Sequence, residues 1–213
     1  MKAFRNGLTT GLILQLAVGP VFFFIMNLVL QKTFFDGLAG VIAVTLVDYF
    51  YITLAIFGIG KLLEHKRIKR TFGIISSAVL AIFGIIIIKS IATSVEASPD
   101  VVSTSLLSSF ISVFILTISS PMTIVFFTSL FTTKTLEYNY TKKELLIFGL
   151  GTGFATFLFM GSATLIFSLF KGSVPLLLVQ VLNFVVGGLL IGYGVFRLVK
   201  VLRRDKSLSA MSV

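Results

Sequence analysis

The chain has 213 residues, of which 56% are hydrophobic and only 12% are charged, and its mean hydropathy is +1.07. Soluble domains contain about 25% charged residues, so this composition excludes an ordinary soluble protein and indicates a membrane protein. The sequence contains no cysteine, which excludes disulfides and thiolate metal sites. The net charge of +10 comes from basic residues between apolar runs, a pattern typical of membrane topology signals and not of a nucleic-acid surface.

Six stretches of about 20 residues are almost free of charge, and a helix of this length crosses a bilayer. Only the second contains a charged residue, Asp48. The pattern predicts an all-α, polytopic membrane protein with one transmembrane domain, residues 1–213, and a tail from 197 to 213. The six predicted spans are Gly7–Leu30, Gly37–Gly60, Thr71–Ile88, Leu106–Phe131, Leu145–Phe170 and Pro175–Phe196.

The first span carries a Gly-Pro pair at its middle, Gly19 and Pro20, within "QLAVGPVFFFIMN". A proline lacks a backbone donor and frees the carbonyl four residues earlier, here that of Leu16. Lipid offers no hydrogen bonds, so a helix broken at this depth must line protein or a wet cavity. The pair predicts either a break at a binding site or a plain kink.

Asp48 lies about 16 Å into the second span, near the centre of a bilayer. An acid at this depth costs roughly 2.5–3.5 kcal/mol, so we expect it to face the protein interior. Thr45 and Tyr51, three residues to either side, share its helical face and are predicted to hydrogen-bond it. Such a group can hold a proton or an amine in turn; the alternative is a structural hydrogen bond to a neighbouring helix.

The fourth span repeats the features of the first in "ISSPMTIVFFTSLF", with Ser119, Ser120 and Pro121 at its middle. Here the proline is predicted to free the carbonyl of Thr117. Two breaks at corresponding positions of two halves indicate a substrate site near the membrane midplane.

The last spans of the two halves also correspond, because "AIFGIIIIK" and "LIGYGVFRLVK" align Gly84 with Gly194. A unit of three spans has an odd number of crossings, so its two copies must enter the membrane from opposite sides. The sequence therefore predicts two inverted-topology repeats, at about 7–88 and 106–196, as in secondary transporters.

Fifteen of the eighteen Lys and Arg residues fall on one side of the six-span arrangement. Positive residues accumulate on the cytoplasmic side, so both termini are predicted to be cytoplasmic. The other side carries Lys32, Lys89 and Lys171.

Amides and glycines within the spans have two interpretations each, as cavity lining or as contacts between helices. The amides are Gln15, Asn27, Gln180 and Asn183, and the glycine pairs, for which helix contacts are expected, are Gly7–Gly11, Gly149–Gly153 and Gly188–Gly192.

Three segments, "AVGPVFFF", "GVIAVTLVDYFYITLAIFGIGKLL" and "SSPMTIVFF", resemble the LysE/RhtB family of amino-acid exporters, and the similarity extends over about residues 5–200. The family consists of small bacterial inner-membrane carriers driven by the proton gradient, and its superfamily also contains cation exporters. The resemblance implies roles for Gly19, Pro20, Asp48 and Pro121. Two departures are Val18 and Ser120, where the family often has Pro and Asn.

Together these features predict a secondary-active exporter of amino acids, by proton antiport, in the bacterial cytoplasmic membrane. Asp48 is the expected proton-coupling residue, and no cofactor or metal is expected. The partners are an amino acid, protons and the lipid bilayer, with a homo-oligomer left open. The rival readings are an inorganic cation exporter and a non-transporting scaffold; an enzyme lacks an acid–base pair. The predicted substrate-binding residues are Gly19, Pro20, Asp48, Thr45, Tyr51, Ser119, Ser120 and Pro121.

Overall fold

A computed structural model describes residues 2–16, 19–57, 66–93, 105–173 and 175–209. Within these ranges the chain forms eight α-helices, a short 3-10 helix at Lys171–Ser173 and no β-strand. The all-α prediction is therefore confirmed. The helices are α1 (Lys2–Gln15), α2 (Pro20–Gln31), α3 (Phe34–Ile56), α4 (Lys66–Thr93), α5 (Leu106–Ile118), α6 (Pro121–Tyr138), α7 (Lys142–Phe170) and α8 (Leu176–Ser209).

Three segments are long and apolar enough to cross a membrane as single helices: α3, α7 and residues Gln180–Lys200 of α8. The pairs α1–α2 and α5–α6 each qualify as one bent span, which brings the total to five among the described residues. The apolar part of α4, Gly73–Lys89, is shorter than a typical span. A polytopic helical membrane protein is confirmed, while the six-span count stays a prediction.

Several helix limits differ from those predicted. Helix α4 begins at Lys66, five residues before the predicted span, and α8 continues to Ser209, well past the predicted end at Phe196. Long basic segments extend these helices because Lys and Arg are good helix formers. Most of the basic loop between spans two and three, residues 58–65, lies outside the described residues.

The relative directions of the helices follow the predicted alternation of spans. Helix α1 runs parallel to α7, since Gly7 meets Phe148 and Gln15 bonds to Thr156 further along both helices. Helix α3 likewise runs parallel to α5, whereas α3 and α7 are antiparallel to each other. This is the arrangement expected when successive spans cross the bilayer in opposite directions.

The packing of the first four helices mirrors that of the last four. The contact of α1 with α7 has its counterpart in that of α5 with α3, and the contacts of α2 with α7 and α8 have theirs in those of α6 with α3 and α4. Exchanging the halves converts these contacts into one another, whereas the smaller contacts of α2 with α3 and α5 and of α4 with α5 have no comparable counterpart among the described residues. This pattern supports the inverted repeat, which stays a prediction.

The antiparallel pair α4–α8 shows the same mirror relation at single residues. A Cβ added at Gly84 would lie 2.7 Å from the carbonyl oxygen of Gly187, and one added at Gly194 would lie 2.9 Å from that of Ser77. The shift along the chain that carries Gly84 onto Gly194 also carries Ser77 onto Gly187. The predicted correspondence of Gly84 with Gly194 is therefore supported by matching contacts.

The predicted glycine contacts are found for two of the three pairs. Gly7 and Gly11 pack closely on α7, and Gly149 and Gly153 pack on α3. A Cβ at either member of the pair Gly188–Gly192 would meet nothing within 4 Å. On α8 the close contacts are instead at Gly187 and Gly194, which pack against α4.

The apolar core forms two clusters along the bundle, one centred on α2, α3 and α8 and the other on α3, α6 and α7. Many large apolar side chains point outward, including Ile82, Leu165 and Phe184, each more than half exposed. Such an apolar exterior suits contact with lipid tails. Between the clusters the bundle is open at the two helix breaks. Side chains that are almost wholly buried in the core include Ile25, Val41, Val113 and Leu190 in the first cluster and Val47, Ile124 and Phe148 in the second.

Candidate functional site

The two proline-marked positions are sharp breaks between helices. The axes of α1 and α2 differ by 79°, and those of α5 and residues Thr123–Tyr138 of α6 differ by 64°. In both cases the second helix begins at the proline, Pro20 or Pro121, which suits a first helical position because its missing N–H would be unpaired there. Breaks of this size exceed a plain kink. The residues Ala17 and Val18 of the first break lie outside the described residues.

A cavity of about 370 Å³ lies between the two breaks, a volume within the range of small-molecule sites. Its lining includes Gly19 and Pro20 from the first break and Ser119 and Ser120 from the second, together with Asp48 from α3. Five of the eight predicted site residues therefore border one space. Pro121 opens α6 at its edge.

Asp48 faces this cavity and is 7% exposed, as expected for an acid at mid-span. Its partner is a residue that the sequence analysis did not name: the Thr156 hydroxyl on α7 donates a hydrogen bond of 2.8 Å to Oδ2 of Asp48. The Gln15 side-chain amide, at the end of α1, donates to the Thr156 hydroxyl oxygen at 2.7 Å. Three helices are thus joined by a chain of two hydrogen bonds.

Thr45 and Tyr51 were predicted to hydrogen-bond Asp48, but their hydroxyl groups donate to backbone carbonyls instead. The Thr45 hydroxyl bonds to the carbonyl of Val41 one turn earlier in α3, at 2.7 Å, because a threonine in a helix reaches that carbonyl easily. The Tyr51 hydroxyl bonds to the carbonyl of Ile118, the last residue of α5, at 2.6 Å. Neither residue lines the cavity.

The carbonyl that Pro121 was predicted to free is occupied. The backbone N–H of Ser120 donates to the carbonyl of Thr117 at 3.1 Å, which tightens the last turn of α5. Tyr51 supplies the donor for the next carbonyl, that of Ile118. The second break is therefore stabilised by its own backbone and by α3, and the prediction of a free Thr117 carbonyl is wrong.

The amino ends of α2 and α6 both begin at the cavity. Their N-cap residues, Gly19 and Ser120, make no side-chain hydrogen bond to the following turn. A helix amino end carries partial positive charge from its first amides and dipole, and it attracts anions when no side chain caps it. Each break therefore presents a weakly positive backbone surface to the cavity that Asp48 also lines.

The rest of the lining is mainly apolar, and Asp48 is the single charged side chain among the described residues that form it. Ser76, Thr152 and Tyr193 contribute polar hydroxyl-bearing side chains to the lining. The cavity thus combines one negative group with two helix amino ends and apolar walls. The apolar lining residues include Leu14, Val21, Phe22, Leu80, Phe127 and Met160.

Two of the amides left open by the sequence connect helices away from the cavity. Asn27 and Asn183 are both buried, and the Asn27 amide donates to the side-chain oxygen of Asn183, joining α2 to α8. Gln31 donates to the same oxygen at 2.7 Å. The packing interpretation holds for Asn27 and Asn183, whereas Gln15 lines the cavity.

A second buried acid, Asp36, escaped the sequence analysis because it precedes the predicted second span by one residue. It is 4% exposed and accepts hydrogen bonds of 2.6 Å from the hydroxyls of Thr33 and Ser109. The Thr33-x-x-Asp36 spacing before an apolar run is a helix-start signature that would have identified it. The signal for Thr156 is weaker: Thr152, Thr156 and Thr164 are four and eight residues apart, spacings that place them near one face of α7.

A sequence model of the family described as LysE type translocator matches residues 12–200, which include both breaks and the whole cavity lining except Gly11. Searches of curated proteins and of solved structures found no match. The family match covers most of the chain and agrees with a helical membrane protein that encloses a central cavity. The chain therefore belongs to the LysE type translocator family and is a membrane transporter.

Proposed function

We propose that this transporter exports amino acids in exchange for protons, with the substrate held in the cavity between the two helix breaks. The observation that carries the proposal is the position of Asp48, a carboxylate without a cationic partner among the described lining residues, in the same cavity as both breaks. A free amino acid is a zwitterion and needs both a negative and a positive partner. The cavity offers one of each kind.

Asp48 is the expected partner for the substrate ammonium group. A carboxylate removed from water gains from a compensating cation or from a proton, and either one can occupy it. Exchange follows if the two compete for this one group. Asp48 is accordingly the proposed coupling residue.

The amino ends of α2 and α6 are the expected partners for the substrate carboxylate. Gly19 and Ser120 leave these ends without side-chain caps, and discontinuous helices in secondary transporters direct their amino ends at anionic groups of the substrate. Gly19, Pro20, Ser119, Ser120 and Pro121 keep the binding role predicted for them. Thr45 and Tyr51 keep a supporting role, through the helix that carries Asp48 and the break that α3 stabilises.

The side chain of the substrate is expected to be neutral and apolar. One carboxylate matches one ammonium group, so a lysine or arginine side chain would find no second acid among the described lining residues. Phe22, Leu80, Phe127 and Met160 provide apolar walls instead. A hard metal cation prefers several oxygen ligands, and this lining has a single carboxylate.

The membrane is proposed to be the bacterial cytoplasmic membrane, with both termini on the cytoplasmic side. The distribution of Lys and Arg supports this orientation. Two inverted repeats of three spans, at about 7–88 and 106–196, would place the cavity at their interface, where alternate opening to the two sides is achieved by rocking.

The test begins with the purified protein, screened by thermal shift against single L-amino acids and against divalent metal ions. Stabilisation by neutral amino acids supports the proposal, stabilisation by metal alone supports the cation exporter, and no response to any solute supports the scaffold. Proteoliposomes loaded with the stabilising amino acid are then given an inward proton gradient.

The decisive variant is Asp48→Asn, which removes the charge with little change of shape. We expect it to insert normally and to lose gradient-driven efflux, whereas the control Glu137→Gln, at an exposed position of α6, retains it. Efflux by Asp48→Asn at the rate of the unmodified protein would contradict the coupling role.

A further inference from the structure

We propose that Thr156 is a positioning residue that transmits the charge state of Asp48 to Gln15, beside the first helix break. This inference rests on the proposed function, because it assigns the coupling within that site to a specific pair of hydrogen bonds. A proton bound at Asp48 would in this way alter the part of the cavity beside the first helix break, where the substrate carboxylate is proposed to bind.

The geometry behind this inference is a continuous chain of side chains from three helices. Asp48 lies on α3, Thr156 on α7 and Gln15 at the last position of α1. The two bonds measure 2.8 Å and 2.7 Å, and Thr156 between them is 2% exposed. All three residues line the cavity.

The chemistry of the hydroxyl group makes the chain directional. Thr156 has one proton to donate and two lone pairs to accept with. It gives its proton to the ionised Asp48 and accepts from the Gln15 amide nitrogen. The direction of donation therefore runs from α1 through α7 to α3.

Protonation of Asp48 at Oδ2, the oxygen that accepts from Thr156, reverses that direction. The carboxyl O–H then becomes a donor to the Thr156 oxygen, and the Thr156 proton must find another acceptor. Gln15 can provide it, because an amide that turns about its last bond presents its oxygen where its nitrogen was. One proton bound at Asp48 thus turns the amide of Gln15.

Gln15 is well placed to pass this change on to the substrate. It ends α1 and borders the same cavity as Gly19 and Pro20 of the break. An amide that presents its NH₂ group favours a nearby substrate carboxylate, and one that presents its oxygen disfavours it. The turn of the Gln15 amide exchanges the group that it presents to the cavity, so the protonation state of Asp48 changes the affinity of the cavity for the substrate carboxylate.

The other titratable groups near Asp48 are phenols. Tyr49 on α3 donates to the carbonyl of Leu150 on α7 at 3.1 Å, and Tyr51 donates to α5. Tyr193 on α8 lines the cavity. Along the described lining Asp48 is the one residue with a carboxyl or basic side chain, so its protonation state determines the direction of the chain.

The experiment compares Thr156→Val, which removes the hydroxyl with little change of shape, with Thr156→Ser, which keeps it. Proteoliposomes are loaded with a mixture of the common radiolabelled L-amino acids. Exchange without a proton gradient and efflux driven by a gradient are measured across a range of pH. The matched control is Thr164→Val on the same face of α7, where the hydroxyl is buried and makes no hydrogen bond.

We expect Thr156→Val to reduce gradient-driven efflux about tenfold or more, as is typical for the loss of a hydrogen bond to a charged group. Exchange without a gradient should fall by a clearly smaller factor, since Asp48 and both breaks remain. The pH of half-maximal efflux should rise, because the carboxylate has lost its donor. Thr156→Ser should restore both the rate of gradient-driven efflux and its pH of half-maximal efflux.

The proposal is overturned if Thr156→Val transports like Thr164→Val, or if Thr156→Val and Thr156→Ser lose exchange and efflux equally. Should Thr156→Val fail to insert, Gln15→Leu tests the same chain from its other end and should show the same split to a smaller extent. Unchanged behaviour of that variant also overturns the relay. A gradient-driven response that survives Asp48→Asn would instead contradict the proposed function itself.

Discussion

Tyr51 and Ile118 form a hydrogen bond of 2.6 Å between the last third of α3 and the end of α5, at the point where the fourth span breaks. The break leaves the last carbonyls of α5 without donors from a continuing helix. The phenol supplies one of these donors, so the span that carries Asp48 also supports the second break. A residue predicted to contact the acid therefore acts on the break instead.

Replacing Tyr51 with Phe should destabilise the protein by about 1 kcal/mol, the magnitude found for single hydrogen bonds between membrane helices. The ring remains to fill its space while the Ile118 carbonyl loses its donor. Thermal unfolding of the purified variant in detergent measures the effect. Tyr193→Phe, at a half-exposed phenol of α8, provides the comparison and should unfold near the temperature of the unmodified protein.

Asp36 lies in the first turn of α3 and accepts a hydrogen bond from Ser109, which joins α3 to α5. Replacing it with Leu should lower the stability by about 2 kcal/mol or more, because the hydroxyls of Thr33 and Ser109 lose their acceptor inside the protein. Unfolding of Asp36→Leu, Ser109→Ala and the double variant measures the coupling. Additive losses would show that the two side chains do not act on each other.

Glu144 serves as the matched comparison for Asp36. The Thr141-x-x-Glu144 cap at the start of α7 has the spacing of Thr33-x-x-Asp36, and its carboxylate accepts from the Thr141 hydroxyl at 2.8 Å. It is exposed, so Glu144→Leu should cost clearly less stability than Asp36→Leu, as expected for a helix cap at the surface. Equal losses for the two acids would contradict the importance of burial at Asp36.

Gly84 and Gly188 should respond oppositely to the same substitution. A Cβ at Gly84 would lie 2.7 Å from the Gly187 carbonyl oxygen, so Gly84→Ala must push α4 and α8 apart and should cost about 1–3 kcal/mol. A Cβ at Gly188 meets nothing within 4 Å, so Gly188→Ala should be neutral or slightly stabilising. Thermal unfolding of both variants is the measurement; equal behaviour would refute the close α4–α8 crossing.

The predicted orientation can be tested by cysteine labelling, since the native chain contains no cysteine. Lys142 opens α7 and Gly172 follows its end, about 43 Å away along a helix of that length. A membrane-impermeant maleimide applied to intact cells should label Gly172→Cys at once. Lys142→Cys should be labelled only after the membrane is permeabilised, and the reverse result would invert the proposed topology.

Periodicity and charge were sufficient to predict the helical membrane architecture. Uncharged runs of span length leave few structures other than helices, because the bilayer provides no partner for an unpaired backbone group. The same rule identified the breaks, as Pro20 and Pro121 stand where a continuous helix is impossible without strain. It also placed Asp48 in the interior, since a carboxylate facing lipid is too unfavourable.

The local sequence could not predict the hydrogen-bond partners of the buried polar side chains. Thr156 lies more than a hundred positions from Asp48, and nothing in its own surroundings distinguishes it from Thr164 on the same face of α7. Thr45 was expected to bond to the acid because it shares a helical face, yet the nearer Val41 carbonyl takes its proton. Spacing along one helix gives the face of a side chain, but the neighbouring helices determine its contacts.

The sequence by itself thus determined that this chain is a helical membrane protein, where its spans are interrupted and that Asp48 is buried, because each of these follows from the cost of polar groups in hydrocarbon. Only the tertiary structure decided that both interruptions and Asp48 border one cavity, and that Gln15 and Thr156 extend the acid toward the first break. Hydrogen bonds between helices depend on how the helices cross, and that geometry is set by packing over the whole chain.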